Sequence, residues 1–107
     1  MSDFSTSQRD PFFVVTLPAR VDAANTKSLV EAVTRATSKK IVLDLKSTEI
    51  VDSTALGAIV RLHTSLQTGG GTLVLAGVGD GIRRVLVMTR LDRVFAIAAD
   101  VDTAVAQ

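Results

Sequence analysis

The chain predicts a single α/β domain: a mixed, mostly parallel β-sheet with covering helices. Three observations predict it. Short apolar runs rich in Val, Ile and Leu alternate with segments of helical spacing, in the order β-α-β-α-β-α-β-α. The connections between them are short, as in packed strand–helix units. The 107 residues, 47% of them apolar, are enough for one small core.

The elements follow in order. Residues 1–10 are polar and read as a loose tail or a short edge strand around Phe4, ahead of a domain over residues 11–107. Phe12–Leu17 (FFVVTL) mixes aromatic and β-branched residues, as strands do. Pro18 stops it, having no N–H for a ladder. Asn25–Lys39 sets Leu29, Val33 and Ala36 at helical spacing, with Asp22 or Asn25 as candidate caps. Ile41–Leu45 (IVLDL) barely alternates and reads as a strand buried on both faces. Leu56, Ile59, Val60, His63 and Leu66 form the next helical stripe, closed by Gly69–Gly71. Thr72–Ala76 is a second central strand. Ile82, Val85, Leu86 and Met88 repeat helical spacing, Val94–Ala98 is a last short strand, and DVDTAVAQ is a terminal helix capped by Asp100 or Asp102.

Composition removes several function classes. There is no Cys, so disulfides, thiolate catalysis and Cys-based metal sites are excluded. A formal charge of +1 lacks the electrostatic footprint of direct nucleic-acid binding. The N-terminus shows no apolar signal region, and no run approaches the ~18 residues of a bilayer span. A cytoplasmic protein without membrane insertion is expected.

Candidate catalytic groups are few. His63 is the single histidine, and it falls on the apolar stripe of its helix. A general base needs a nucleophile and an orienting partner, and a metal needs several converging ligands. No local spacing supplies either, so no enzyme activity, catalytic residue, metal or cofactor is expected. GVGDGIRR (Gly77–Arg84) follows a strand and opens a helix, like a dinucleotide loop. Its glycines are one residue out of step with that fingerprint, and a plain strand-to-helix turn is the simpler reading. Arg83, Arg84, Arg90 and Arg93 cluster in the same region, either as a solvated face or as a contact for phosphate or an acidic partner.

The most informative stretch is VDSTALGAIVRLH, Val51–His63, where a buried strand hands over to a helix. Asp52, Ser53 or Thr54 could cap that helix by accepting a free backbone N–H, worth ~1 kcal/mol. One cap needs only one of them. The others are open to a second role, such as displaying a hydroxyl beyond the carboxyl end of a strand, where functional groups on such sheets gather.

IVLDLKSTEIVDSTALGAIVRLH resembles the signature segment of STAS domains, specifically the bacterial anti-sigma factor antagonists. That family shows an apolar strand, a short loop and Asp-Ser-Ser/Thr-Gly-Leu-Gly opening a helix; Asp52, Ser53, Thr54, Leu56 and Gly57 stand in register. PARVDAANTKSLVEAV (Pro18–Val33) resembles the family's earlier turn and helix, with Asp22 at its acidic position. The resemblance covers nearly all of the chain after residue 11. It implies a STAS-like domain with helices largely on one face of the sheet. It implies Ser53 as a phosphorylation site, supported by Asp22, Asp52 and Thr54, with Thr54, Leu56, Gly57 and Arg61 touching the partner. That partner is an anti-sigma factor that is itself a serine kinase; the unmodified antagonist binds it and frees a sigma factor. Phosphorylation breaks the complex, and a phosphatase reverses it. The alternative within the resemblance is an accessory STAS subunit docked constitutively on an ABC-type lipid-transport ATPase. The chain departs from the pattern at Ala55, where the family has Gly. If the position is helical, Ala is better by ~1 kcal/mol; if Gly admits a kinase backbone, the methyl hinders it.

Overall fold

The structure is a computed structural model that describes residues 4–106; expectations falling on residues 1–3 and on Gln107 lie outside it. Strand β1 (Ser5–Arg9) turns through Asp10–Pro11 and pairs antiparallel with β2 (Phe12–Thr16). Strands β4 (Lys40–Asp44), β6 (Thr72–Ala76) and β7 (Ala96–Ala98) then add in parallel, giving the order β1-β2-β4-β6-β7. Two further strands of two residues each, β3 (Arg20–Val21) and β5 (Ile50–Val51), pair in parallel outside that sheet. The helices are α1 (Thr26–Thr34), α2 (Ser53–Thr68), α3 (Asp80–Met88) and α4 (Val101–Val105), with a 3₁₀ turn at Leu91–Arg93.

The period of two along each strand sorts the core into two layers. Val15, Ile41, Leu43, Leu73 and Leu75 face one side, where Leu29 and Val33 of α1, Ala55 and Ile59 of α2, and Ile82 and Leu86 of α3 cover them. Phe12, Val14, Val42, Val74, Ala76 and Ala98 face the other side, under Ala104 of α4. Three helices therefore share one face and the short α4 takes the other. Both faces of β4 are covered, which is why IVLDL does not alternate. Leu43 is fully buried; truncating such a side chain to Ala removes ~2–5 kcal/mol.

The structure corrects several sequence boundaries. Helix α1 ends at Thr34, not Lys39: its last turn tightens, the Ala36 N–H reaching the Val33 carbonyl at 3.1 Å, and Ser38 beyond it bonds outside the helix. Its hydroxyl donates to the Pro11 carbonyl at 2.6 Å and accepts the Lys40 N–H at 3.0 Å, fixing the entry to β4. Neither Asp22 nor Asn25 caps α1 with its side chain. The Asp22 carboxylate accepts the Ala24 N–H, and the Asn25 amide oxygen accepts the Asp22 N–H. The last strand begins at Ala96 rather than Val94, because the 3₁₀ turn continues into a Phe95 N–H bond to the Leu91 carbonyl at 3.0 Å. Of the two candidates for α4, Asp100 is the cap and accepts the Thr103 N–H at 2.8 Å.

Candidate functional site

The small β3–β5 pair assembles the site. Val21 and Val51 are register partners, so the residues that follow them, Asp22 and Asp52, emerge side by side. The Asp52 N–H donates to the Val21 carbonyl at 3.1 Å, and the Glu49 and Ile50 N–H groups both reach the Ala19 carbonyl. These bonds lock the turn before α1 against the turn before α2. Asp52 closes the junction with both carboxylate oxygens: one accepts the Ala55 N–H at 2.8 Å, the other the Ala23 N–H at 3.1 Å.

Asp52 is therefore the N-cap of α2, and Ser53 and Thr54 are not needed for it. Ser53 is the first residue of the helix and is exposed; Thr54 beside it is also exposed. The Ser53 hydroxyl makes no hydrogen bond to protein among the described residues. An exposed, unengaged hydroxyl sits at the positive end of a 16-residue helix, flanked by two anchored carboxylates.

The other candidate residues fall around it. Ser53, Gly57 and Arg61 lie at successive four-residue steps along one side of α2. Arg61 is exposed, and its guanidinium lies back over Gly57: a methyl built on Gly57 would meet Arg61 Nη1 at 3.5 Å. Leu56 is half-buried and turns the other way, into a groove of about 240 Å³ that it shares with Ile50, Val51 and Val85. Ala55 is fully buried under the sheet. Its methyl belongs to the core, so the helical reading of that position holds and the departure from Gly adds nothing to the outer surface.

His63 is buried, stacks edge-on against Phe95 at 5.3 Å between ring centres, and its Nδ1 has no hydrogen-bond partner among the described residues. The Gly77–Gly81 stretch is a strand-to-helix turn. Gly77 takes φ +69°, and a methyl on it would press on the Lys46 backbone at 3.2 Å, so its glycine serves the close approach of two loops.

Comparison with known proteins fits this geometry to a family. Residues 3–104 match the STAS domain family. The chain is a STAS domain. Over 58 residues it is 40% identical to a Thermotoga maritima protein named as an anti-sigma factor antagonist, a stretch covering 54% of this STAS domain and 51% of that relative. A Thermotoga neapolitana relative matches to the same extent. The alignment thus spans about half the length of each curated relative. The crystal structure of the Thermotoga maritima protein superposes with a TM-score of 0.87 at 27% identity, covering 96% of this chain and 92% of that one. The phosphorylated form of the Bacillus cell-fate determinant SpoIIAA shares the fold, with a TM-score of 0.71 at 16% identity over 96% of each chain.

Sequence reasoning placed Asp52, Ser53 and Thr54 correctly at a strand-to-helix junction. It read Asp22 as a candidate helix cap and tied it to this site only through the resemblance, and it missed the β3–β5 pair that brings Asp22 to Asp52. Two-residue strands carry no periodicity to find. The groove beside Leu56 was also missed, since its walls come from two stretches far apart in sequence, Glu49–Leu56 and Gly81–Leu86.

Proposed function

We propose that this STAS domain is an anti-sigma factor antagonist switched by phosphorylation of Ser53. The unmodified form binds an anti-sigma factor that is also a serine kinase and thereby frees a sigma factor. In the kinase step the Ser53 oxygen bonds to the γ-phosphorus of ATP, ADP leaves, and the hydroxyl proton passes to the kinase. A phosphatase restores the hydroxyl. The protein acts in the cytoplasm as a binding module, without catalytic residues, metal or cofactor of its own. No helix among the described residues is long and apolar enough to cross a membrane.

The observation that carries the reading is the division of labour at the start of α2. Asp52 alone caps the helix, so the Ser53 hydroxyl is free to be modified without unravelling it. A phosphate adds about −1.5 to −2 charges. The first-turn N–H groups left over by Asp52 and the helix dipole tolerate that anion, so the fold survives. A docked partner does not tolerate it, because the new charge stands beside Asp52 and Asp22 on a surface shaped for a neutral hydroxyl. Thr54, Gly57 and Arg61 beside Ser53, and Leu56 in the adjoining groove, are the partner's contacts. A local change of charge then shifts affinity by orders of magnitude while the backbone stays in place.

The test uses the purified kinase with ATP, mass mapping of the modified residue, and affinity measurements. Phosphate is expected on Ser53 only. Ser53→Ala should bind the kinase like the unmodified chain, and Ser53→Asp about 100-fold more weakly or worse. Equal binding by Ser53→Asp and the unmodified chain would point to constitutive docking and overturn the switch.

A further inference from the structure

The Ser53 surface accounts for the outer side of α2 but not for that of α3. Five large apolar side chains stay exposed among the described residues: Ile50, Val85, Val87, Met88 and Val94. All but Ile50 lie on α3 or the turn after it, and Met88 is 77% exposed. The same segment holds Arg83, Arg84, Arg90 and Arg93 against only Asp80 and Asp92. None of these arginines forms an ion pair among the described residues. Arg84 stands one helical turn from both Val87 and Met88, so cation and apolar surface adjoin along α3.

The composition is that of an interface rather than a solvated face. The lysines, Lys27, Lys39, Lys40 and Lys46, all lie elsewhere in the chain. Arg and Met are enriched where proteins meet, and Lys is depleted there. Arg90 also holds a left-handed conformation, φ 63°, at the point where a helix usually ends on glycine. An arginine stands there although glycine would be less strained.

The groove between α3 and the start of α2 joins this face to the Ser53 surface. Ile50 and Val85, both more than 40% exposed, form its lips, and Val51 and Leu56, which bracket Ser53 in the chain, line it. Glu49 is the one charged residue lining it.

We propose that this groove and the outer face of α3 are the second half of the docking surface and receive an acidic, amphipathic segment of the partner protein. Its apolar side chains enter between Ile50 and Val85, and its carboxylates meet the arginines of α3. The inference rests on the Ser53 reading for the identity of the partner, because the two surfaces share Leu56. Charge selects the occupant. A second copy of this chain on a two-fold axis would set arginines against arginines. A bilayer surface would leave the concave groove unfilled.

The test is chemical-shift mapping on the full chain with three synthetic amphipathic helical peptides. They share one apolar face and differ in an acidic, neutral or basic polar face. The acidic peptide is expected to bind and to shift Ile50, Leu56, Val85 and Met88. Its affinity should fall with added salt, and about tenfold in an Arg83→Glu, Arg84→Glu double variant. Thermal melts establish that the variant is folded, and Val85→Asp provides a second, uncharged-to-charged probe of the groove. Ser53→Asp should retain the peptide, so a failed phosphorylation switch and a failed groove give different results. No binding by the acidic peptide, equal binding by the basic one, or shifts mapped away from the groove would overturn the proposal. So would binding to phosphatidylglycerol vesicles that the double variant abolishes, since that would make the face a membrane contact.

Discussion

Gly57 separates stability from binding. It lies inside α2, where glycine costs about 1 kcal/mol relative to alanine through the entropy of the unfolded chain. Neighbouring packing does not explain it. A methyl at this position would meet only Arg61 Nη1, at 3.5 Å, an ordinary contact with the end of a flexible side chain. Gly71 differs: a methyl there would collide with the Lys39 carbonyl oxygen, so intramolecular packing does require that glycine. Gly57→Ala is therefore expected to stabilise the fold by roughly 0.5–1 kcal/mol, raising Tm by about 2–8 °C for a domain of this size. If a partner backbone comes close to α2 between Ser53 and Arg61, the same methyl overpacks the complex by ~1–3 kcal/mol, a loss of affinity of about tenfold or more. Thermal unfolding read by circular dichroism gives the first number, and titration calorimetry with the kinase gives the second. A lower Tm would mean that the helix needs this glycine after all. A higher Tm with unchanged affinity would remove Gly57 from the docking surface.

Two further expectations concern the caps. Asp52→Ala deprives the Ala55 and Ala23 N–H groups of their acceptor and should cost about 1–2 kcal/mol in urea unfolding, with Asp52→Asn milder because one amide oxygen still accepts; an unchanged midpoint would show that the junction is held elsewhere. The Asp100 carboxyl is held below its ordinary range, first by the Thr103 backbone N–H and then by the Thr103 side chain. Its contribution is therefore present above the ordinary aspartate range and fades as pH falls through the lowered value. The protection factor of the Ala104 amide, its exchange compared with the intrinsic rate at each pH, should fall in acid, and Asp100→Asn should flatten that dependence; a pH-independent protection factor in the unmodified chain would contradict the assignment.

The helices and central strands were legible because their signals are repetitive. Leu29 and Val33, Ile59 and His63, and Ile82 and Leu86 recur at helical spacing and are all buried. IVLDL announced a doubly covered strand, and the Asp52–Thr54 triplet announced a helix start, because burial and capping act on residues close in sequence. The sequence did not show which of the three polar residues caps. Asp52 prevails because its second oxygen also reaches Ala23, 29 residues earlier, a contact that exists only once β3 and β5 pair.

What the sequence alone determined was the alternation of strand and helix, the polar handover at the head of α2 and the cluster of arginines on α3 and the turn after it. Those properties follow from local spacing and from the chemistry of single side chains. Tertiary structure decided the rest. It set Asp22 beside Asp52, released the Ser53 hydroxyl from capping, turned the Ala55 methyl inward, and opened a groove between Leu56 and Val85. Each of these depends on bringing together segments tens of residues apart, and only packing of the whole core fixes such distances.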